Sequence, residues 1–508
     1  MTTTPKVLPT LSPTFKATVG IPIAGEKETY GVEFYFRRMK RSEFREWAGK
    51  VDPNNVSAEQ VLAMHAYVGI EPDPEGLRRL LSDLALGLPI QSDWDLRAAD
   101  LTEETTVVSA SGAWIESPQQ GRARVELGPS LRRMLHEGAW ATSVRGVLPT
   151  LTYPSHTTMI TGVWPGKHGV LNNQTFDPTL RNREGWYWYA EDFKRRTLWQ
   201  AAQDKGLRTA NVYWPTTVGA SFDWSFPQFW RKKVDEDDKL MKVLASPPGL
   251  AAELAARKGT VPTEHRDDKG RATAAVFLIE DKKPDFTLVY FTDLDTVRHK
   301  HGPDSPQAKA MLETIDGELA RVIAAAHDDA LDHTTIVVVS DHGFAPVSRM
   351  VRPLVYLRDK GLLATDDKKA VKRHSVGVMA EGGLAGVVVT EPKDEAAIAR
   401  AVDALAADPR LGIAKVWTQE EMKPHGCLPQ AKWVLEAKVG VMFDNGVDGP
   451  LVEPGKYKGA HGYPPTLPEM RASLLVAGPR IARGKTIGDV DLLDVAPTVA
   501  TILGVDWT

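Results

Sequence analysis

Two nearly continuous apolar runs dominate the hydrophobic pattern of the chain, at residues 286–291 and 335–339. Runs of this kind are typical of parallel strands that helices cover on both faces. Between them, apolar residues recur at helical spacing across residues 305–326, at Met311, Ile315, Leu319, Val322 and Ile323. Strand, helix and strand in this order form the βαβ unit of an open sheet. The pattern therefore predicts an α/β fold with a mostly parallel sheet flanked by helices.

The same pattern divides the chain into a small N-terminal module and a larger domain. Within residues 1–100, alternating apolar positions at Tyr30, Val32, Phe34 and Phe36 predict a strand. Residues 37–50, 57–64 and 77–86 are typical of short helices, so we expect a small α+β module. The α/β rhythm covers residues 103–508, except that residues 350–455 mix short segments with Gly and Pro. We interpret this stretch as a cap inserted into the α/β domain.

Composition excludes several classes of partner. The chain has 508 residues and a formal net charge of −4, which gives no reason to expect a nucleic-acid polymer or an anionic membrane as a partner. No stretch approaches the ~20 apolar residues of a membrane span, and residues 1–6 lack the apolar run of a secretory signal. Taken alone, these features predict a cytoplasmic protein. A single cysteine, Cys427, can form neither an internal disulfide nor a thiolate zinc cluster. The sequence does not indicate an oligomeric state.

Polar residues follow both apolar runs directly. Asp293 and Asp295 come after the first run, and Asp341 and His342 come after the second. Ligands of open α/β sheets bind beyond the carboxyl ends of the strands, so both pairs are expected at one edge. Carboxylate oxygen and imidazole nitrogen suit zinc, although iron, manganese or cobalt also accept these ligands.

Two further histidines extend this candidate metal site. His299 lies four residues after Asp295, so a helix there would place both side chains on one face. His461 lies in a stretch rich in Gly and Pro, which favours a loop histidine over a core one. Each pair taken singly is more often a surface turn or a solvated side chain, and His301 next to His299 is a case in point. Only the joint occurrence of these residues indicates a metal site.

Residues 103–508 resemble the nucleotide pyrophosphatase/phosphodiesterase branch of the alkaline phosphatase superfamily. The segments that carry the resemblance are, in chain order, residues 149–158 (PTLTYPSHTT), 161–165 (TGVWP), 168–173 (HGVLNN), 176–178 (FDP), 295–303, 340–343 (SDHG), 459–463 (GAHGY) and 490–498 (VDLLDVAPT). Such a relationship implies an alkaline-phosphatase-like sheet with an inserted cap. It also implies two divalent metal ions, with zinc as the leading candidate, and a small phosphoester substrate.

The resemblance assigns a role to each matching residue. Thr152 matches the nucleophile that forms a phospho-threonine intermediate, and Asn173 matches the amide that donates to a phosphoryl oxygen. The ligands of one metal match Asp295, His299 and His461, and those of the other match Asp341 and His342. These roles are chemically consistent. A threonine hydroxyl needs activation before it can act as a nucleophile, and two metals stabilise the attacking and leaving oxygens of the displacement. Tyr153, beside the nucleophile, is either a packed aromatic residue or a surface on which a leaving group stacks. Residues 186–189 (WYWY) are expected to pack structurally or to form the rim of the cleft.

One position departs from the family pattern. The family's first catalytic strand ends in Asp-Gly, and that aspartate binds the metal that activates the threonine. Here the matching stretch is residues 107–112 (VVSASG), so Ser111 stands at the aspartate position. Either the first strand belongs to an unrelated sequence, or another carboxylate such as Glu116 reaches the site, or the second metal is weakly held and activity is low.

The sequence as a whole predicts metal-dependent hydrolysis of phosphodiester or pyrophosphate bonds. Within the same superfamily, a phosphomonoesterase or a phosphonate hydrolase is the alternative; a sulfatase is disfavoured because no cysteine occupies the nucleophile position. Ser111 also leaves open an inactive, one-metal binding protein. The N-terminal residues 15–100 resemble phage tail assembly chaperones in the strand at 34–38 and the helix start at 43–47, so a fusion protein with a phage assembly role is a further alternative.

Overall fold

A computed structural model of the chain describes residues 14–22, 29–37, 104–110, 128–182, 185–231, 236–263, 267–326, 334–366, 371–423 and 428–507. The chain divides into two compact units, of which one spans residues 6–101 and the other residues 102–508 together with the first five residues. In the smaller unit, strands β1 (Thr14–Pro22) and β2 (Thr29–Arg37) pair antiparallel along their full length. The strand predicted around Tyr30 and Phe36 is thus present, and the three helices predicted for this module lie outside the described residues.

The larger unit holds the remaining strands. They are β3 (Glu104–Ala110), β4 (Gly138–Trp140), β5 (Ser143–Arg145), β6 (Thr209–Val212), β7 (Trp224–Phe226), β8 (Phe286–Phe291), β9 (Thr334–Val339), β10 (Ala345–Val351), β11 (Leu363–Thr365), β12 (Val371–His374), β13 (Val376–Glu381), β14 (Leu384–Val389), β15 (Ile413–Thr418), β16 (Trp433–Ala437), β17 (Gly440–Phe443), β18 (Val452–Pro454), β19 (Gly459–Ala460), β20 (Leu474–Ala477), β21 (Lys485–Thr486) and β22 (Asp489–Asp491).

The described α-helices also lie in this unit. They are α1 (Pro129–Glu137), α2 (Thr152–Thr161), α3 (Pro165–His168), α4 (Leu198–Asp204), α5 (Asp237–Leu244), α6 (Leu250–Lys258), α7 (Asp268–Phe277), α8 (Asp293–His301), α9 (Pro306–Ala325), α10 (Pro353–Asp359), α11 (Glu395–Ala407), α12 (Gln419–Met422) and α13 (Val495–Leu503). Among them and the rest of the described chain, no helix is long and apolar enough to cross a membrane.

A central sheet organises the larger unit. Its described strands run in the order β21-β4-β20-β9-β3-β8-β6-β7. From β9 to β7 all neighbours are parallel, whereas β20 is antiparallel to both β9 and β4. Strands β8 and β9 are buried along their whole length, as their nearly continuous apolar sequences predict. The α/β class and the mostly parallel sheet flanked by helices are confirmed.

Register within this sheet aligns three strand ends. Strand β3 lies between β8 and β9, with Ser109 level with Tyr290 on one side and with Val339 on the other. The residues that follow β8 and β9 therefore emerge side by side at the carboxyl edge of the sheet. Helix α9, predicted from the apolar spacing, begins after Ser305, whose side chain accepts a hydrogen bond from the Ala308 amide and caps the helix.

A second, antiparallel sheet is built from the part of the chain predicted as a cap. Its described strands run in the order β13-β14-β16-β15. They share a core with helices α10 and α11, in which Leu354, Val387, Ile398, Leu405 and Leu435 are buried. The boundaries predicted for the N-terminal module, at residue 100, and for the cap, at 350–455, stay predictions.

Candidate active site

Thr152 is the first residue of helix α2. The preceding Leu151 is extended, and no side chain caps the helix. Because the first amides of a helix lack intrahelical partners and the helix dipole is positive there, this end favours an anion. The Thr152 side chain is 9% exposed, and its Oγ1 lies 3.5 Å from Nε2 of His342. The candidate nucleophile thus stands at an electropositive helix end beside a candidate metal ligand.

Asn173 is held in one orientation next to this threonine. Its Oδ1 accepts a hydrogen bond of 2.9 Å from the Tyr153 amide. The carbonyl end of the side chain is therefore turned toward the start of α2, and the Nδ2 end is the one that can donate to a ligand. Both Asn173 and Thr152 line the same cleft.

Asp295, His299 and His461 form a group that can hold one metal ion, since their ligand atoms all lie within 4.8 Å of one another. Asp295 and His299 lie four residues apart on α8, with Asp295 Oδ2 3.5 Å from His299 Nε2. His461 follows the short strand β19, and its Nε2 lies 3.6 Å from Asp295 Oδ1. His301, the nearby histidine that was weighed against His299 in the sequence, is exposed.

Asp341 and His342 lie directly beyond the end of β9, and both are fully buried. His342 Nε2 lies 3.2 Å from Asp341 Oδ2. Gly343 permits the next turn, because a Cβ there would lie 2.0 Å from the carbonyl oxygen of Glu469. The ring of His342 stacks on that of His461 with centroids 3.7 Å apart. The two predicted ligand groups therefore adjoin each other.

All three site histidines have the same hydrogen-bonding arrangement. Each Nδ1 faces a backbone carbonyl, and the pairs are His299 with Gly459 (2.9 Å), His342 with Gly343 (3.0 Å) and His461 with Thr150 (3.0 Å). A carbonyl only accepts, so the proton of each neutral ring is on Nδ1 and the lone pair is on Nε2. Such backbone bonds orient imidazoles that bind metals. The lone pairs of these rings point toward the carboxylates.

The protonation states explain why a cation fits here. Burial lowers the pKa of His342 from its ordinary value of 6.5 to about 3, and burial together with the neighbouring His342 lowers the pKa of His461 well below its ordinary value. Both rings are therefore neutral near pH 7. Neutral Nε2 atoms and carboxylate oxygens are all acceptors, so their convergence is unfavourable unless a positive ion lies between them. The donor set of nitrogen and oxygen suits zinc and similar divalent ions.

His156 is a further residue of the site, and no role was predicted for it from the sequence. It is fully buried on α2, and its Nδ1 donates to the Thr152 carbonyl at 2.8 Å while lying 3.7 Å from Asp341 Oδ2. Burial lowers its pKa. His156 thus links the helix that carries the nucleophile to a candidate metal ligand. Its spacing of four residues from Thr152 is the signal that could have identified it.

A cleft of about 1270 Å³ opens above these residues. One wall is aromatic, with Trp186 between Tyr153 and Trp230 at ring-centroid distances of 5.3 Å and 4.6 Å. Trp186 thus lines the cleft. This agrees with one of the two expectations for residues 186–189, namely that they form the rim of the cleft. Part of the predicted cap also lines the cleft, through Arg352, Met379, Phe443, Asp444 and Glu453 among others. Gln228 and Trp230 carried no local signal in the sequence.

Three residues weighed in the sequence lie outside the described residues: Ser111, Glu116 and Cys427. The missing carboxylate at position 111 and its proposed substitute therefore stay predictions. Strand β3 nevertheless ends at Ala110, which is level with Phe291 at the end of β8. Ser111 follows directly in the chain.

Solved structures of ectonucleotide pyrophosphatase/phosphodiesterases share this architecture. The murine family member 5, an inactive variant in complex with AMP, matches with a TM-score of 0.56 at 19% sequence identity, over 80% of this chain and 96% of that one. The human member 5 matches with a TM-score of 0.55 at 18% identity. At these identities the likeness supports the alkaline-phosphatase-like fold.

Curated relatives carry the same family name. The human ectonucleotide pyrophosphatase/phosphodiesterase family member 1 is 24% identical over 226 residues, which is 42% of this chain and 21% of the relative. The human member 7 is 22% identical over 399 residues, 74% of this chain and 76% of the relative. This chain therefore spans about a fifth of the length of member 1.

Two family models match the chain. The phage tail assembly chaperone model matches residues 3–106, where the N-terminal resemblance was expected. The type I phosphodiesterase/nucleotide pyrophosphatase model matches residues 119–464, which is more than half of the chain. The match includes Thr152, Asn173 and all five candidate metal ligands. The chain belongs to the type I phosphodiesterase/nucleotide pyrophosphatase family.

Proposed function

We propose that the protein hydrolyses phosphodiester or pyrophosphate bonds, with Thr152 as the nucleophile. The observation that carries the proposal is the position of Thr152 Oγ1, at the start of α2 and 3.5 Å from His342 Nε2. Family membership supports the reaction class. Asp295, His299 and His461 would hold one divalent ion, and Asp341 and His342 would hold the other. The ions, when bound, would polarise the phosphoryl group and lower the pKa of the hydroxyl that attacks it.

The chain's own residues then carry out two displacements. In the first, a bond forms between Thr152 Oγ1 and phosphorus while the bond to the leaving group breaks, and the threonine proton ends on the leaving oxygen. In the second, a water oxygen bonds to phosphorus while the bond between Oγ1 and phosphorus breaks, and a water proton passes to Oγ1, which restores the threonine. Asn173 donates to a phosphoryl oxygen throughout, since Tyr153 holds its carbonyl end.

The aromatic wall supports a planar leaving group such as a nucleoside. Trp186 and Trp230 offer ring faces for stacking, at a centroid separation of 4.6 Å. Gln228 lines the cleft beside these rings. A heterocyclic base would stack on such a wall, and the murine relative was solved with AMP.

The nucleophile is tested by Thr152→Ala, with hydrolysis of an aryl phosphodiester as the assay. We expect the rate to fall by roughly 10³-fold or more, since loss of a nucleophile removes a chemical step rather than a binding contact. Thr161→Ala is the matched control. This threonine lies on the same helix, is also buried, and donates only to the Thr157 carbonyl, so its variant should keep its activity.

Acid-quenched wild-type protein, incubated with the diester, should carry on the peptide that contains Thr152 one phosphoryl group that still bears the remaining ester substituent. The Thr152→Ala protein should carry none. If the Thr152→Ala protein hydrolyses the diester at a rate similar to that of the wild type, the proposed mechanism is wrong. The ratio of diester to aryl monoester hydrolysis by the wild type decides between a phosphodiesterase and the alternative phosphomonoesterase.

A further inference from the structure

The first residues of helices α7 and α8 lie close together. A carboxylate from each helix accepts hydrogen bonds from backbone amides at the start of the other. Asp268 Oδ1 accepts a hydrogen bond from the Thr292 amide (2.8 Å), and its Oδ2 accepts one from the Asp293 amide (3.0 Å). In return, Asp293 Oδ2 accepts a hydrogen bond from the Asp268 amide (2.9 Å). Each helix therefore caps the amino end of the other. This arrangement satisfies amides that helices leave without intrahelical partners.

A buried arginine holds the two carboxylates together. Arg271 is fully buried, and its Nη1 lies 2.6 Å from Asp268 Oδ1 and 3.5 Å from Asp293 Oδ1. Its Nη2 donates to the Thr263 carbonyl, and its guanidinium lies 4.6 Å from the centre of the Tyr213 ring. We call Asp268, Arg271 and Asp293 the carboxylate clamp.

Stability alone is a weak reason for such a cluster. Removing charged groups from water costs several kcal/mol per ion, and well-packed apolar residues are often as stabilising as a buried ion pair. The clamp does offer fixed geometry, because a guanidinium presents its donors in a rigid planar fork. The clamp holds the first turn of α8, because that helix begins at Asp293, which is itself a clamp residue.

The first turn of α8 is where the proposed metal group starts. Asp295 is the third residue of the helix, and His299 follows one turn later, with its Nε2 3.5 Å from Asp295 Oδ2. The Asp295 backbone comes two residues after the amide that Asp268 binds. A shift of the helix start would therefore move Asp295 relative to His461, which is on a different segment.

We propose that the carboxylate clamp is a positioning device for metal binding: it sets the placement of Asp295 and His299 from outside the metal site. The inference rests on the proposed function in that it takes these residues as ligands. None of the clamp's three residues is among those that line the cleft or form the candidate metal group. Its loss should therefore weaken metal binding without removing a ligand.

The test compares Arg271→Met and Arg271→Lys with a matched control, Asp316→Asn. Asp316 is likewise buried, and its carboxylate caps the start of α1 through the amides of Ser130 and Leu131 (3.1 and 2.8 Å). Helix α1 carries no candidate ligand. All three variants are expected to lower the melting temperature of the metal-free protein.

Zinc affinity of the metal-free proteins, measured by calorimetry well below the melting temperature, separates positioning from stability. We expect Arg271→Met to weaken zinc binding about 10–100-fold, the range found when groups that orient a ligand are lost. Arg271→Lys keeps the charge but loses the fork, so it should fold and give a smaller loss. Asp316→Asn should bind zinc like the wild type.

The outcomes distinguish the clamp from the proposed site. Tight zinc binding by the wild type and equal affinity in both Arg271 variants would overturn the clamp and leave the proposed function intact. No zinc binding by the wild type would overturn the metal site and the clamp with it. Equal weakening in Asp316→Asn would also overturn the clamp, since it would show a general effect of lost helix capping.

Discussion

At the scale of single residues, the site depends on which nitrogen of each histidine carries a proton. Backbone carbonyls hold the proton on Nδ1 of His299, His342 and His461, so Nε2 is the metal-facing atom in all three. Neutral rings are required for metal binding, and burial keeps two of them neutral by lowering the pKa of His342 and His461. The residue types were predictable from sequence, and their tautomers were not, because the carbonyl partners are set by tertiary contacts.

His168 provides a test of how burial affects stability as pH falls. Burial lowers its pKa from 6.5 to about 3. Its Nδ1 accepts from the Val170 amide and its Nε2 faces Thr158 Oγ1 at 3.1 Å, so the folded protein holds it neutral. Below its ordinary pKa the unfolded chain binds a proton that the folded chain does not. Stability is therefore lost as pH falls from about 6.5 toward about 3.

Removing this titration should flatten the pH dependence. In His168→Gln, the free energy of unfolding, measured in urea on metal-free protein, should be lower near neutral pH by about 1–3 kcal/mol because buried hydrogen bonds are lost. Its slope against pH should be smaller than that of the wild type by up to about 1.4 kcal/mol per pH unit, the value for one proton. Parallel slopes for the two proteins would contradict a neutral buried His168.

Ser111 is the position where one substitution should raise activity. A carboxylate there would add a ligand to the group of Asp341 and His342. Even the loss of a residue that only orients a metal ligand typically changes metal affinity or activity ~10–100-fold. We expect Ser111→Asp to increase diester hydrolysis at limiting zinc by at least about 10-fold. Ser111→Asn, similar in size and without the charge, is the control. An unchanged rate in Ser111→Asp would indicate that another group already completes the site.

At the scale of elements, the strands and their ends determine where the chemistry lies. Strands β8 and β9 and helix α9 were predicted within a residue or so of their observed bounds, because long apolar runs and a helical repeat are local signals. Helix α8 has a less obvious origin. Most of its side chains are polar or charged, and Asp268 caps its start through the Thr292 and Asp293 amides. Arg271 contacts both capping carboxylates, so its variants are expected to disturb the starts of both helices.

At the scale of the whole molecule, the larger unit contains all the described residues that line the cleft, which lie between Leu151 and His461. The unit from residue 102 onward also contains the described strands of the central sheet. The smaller unit, residues 6–101, is matched by a model of a different family.

This division predicts that the larger unit works without the smaller one. A chain of residues 102–508 should hydrolyse an aryl phosphodiester with a kcat/KM within about threefold of the full chain, since a domain with its own core folds independently. The same truncated chain with Thr152→Ala measures the background. A truncated chain that is folded by circular dichroism but has lost its activity would show that residues 1–101 contribute to catalysis.

The sequence by itself determined the α/β class, the parallel strands and the candidate residues, because each rests on a short local pattern. Asp295 with His299 and Asp341 with His342 follow strands that the sequence predicts, and Thr152 lies in a segment that carries the family resemblance. Tertiary structure alone decided how they meet. The hydrogen bond from His461 to the Thr150 carbonyl joins residues 311 positions apart, and the aromatic wall, the cap side of the cleft and the carboxylate clamp likewise join separate segments. No local pattern encodes such contacts, since they form only when the folded chain brings distant elements together.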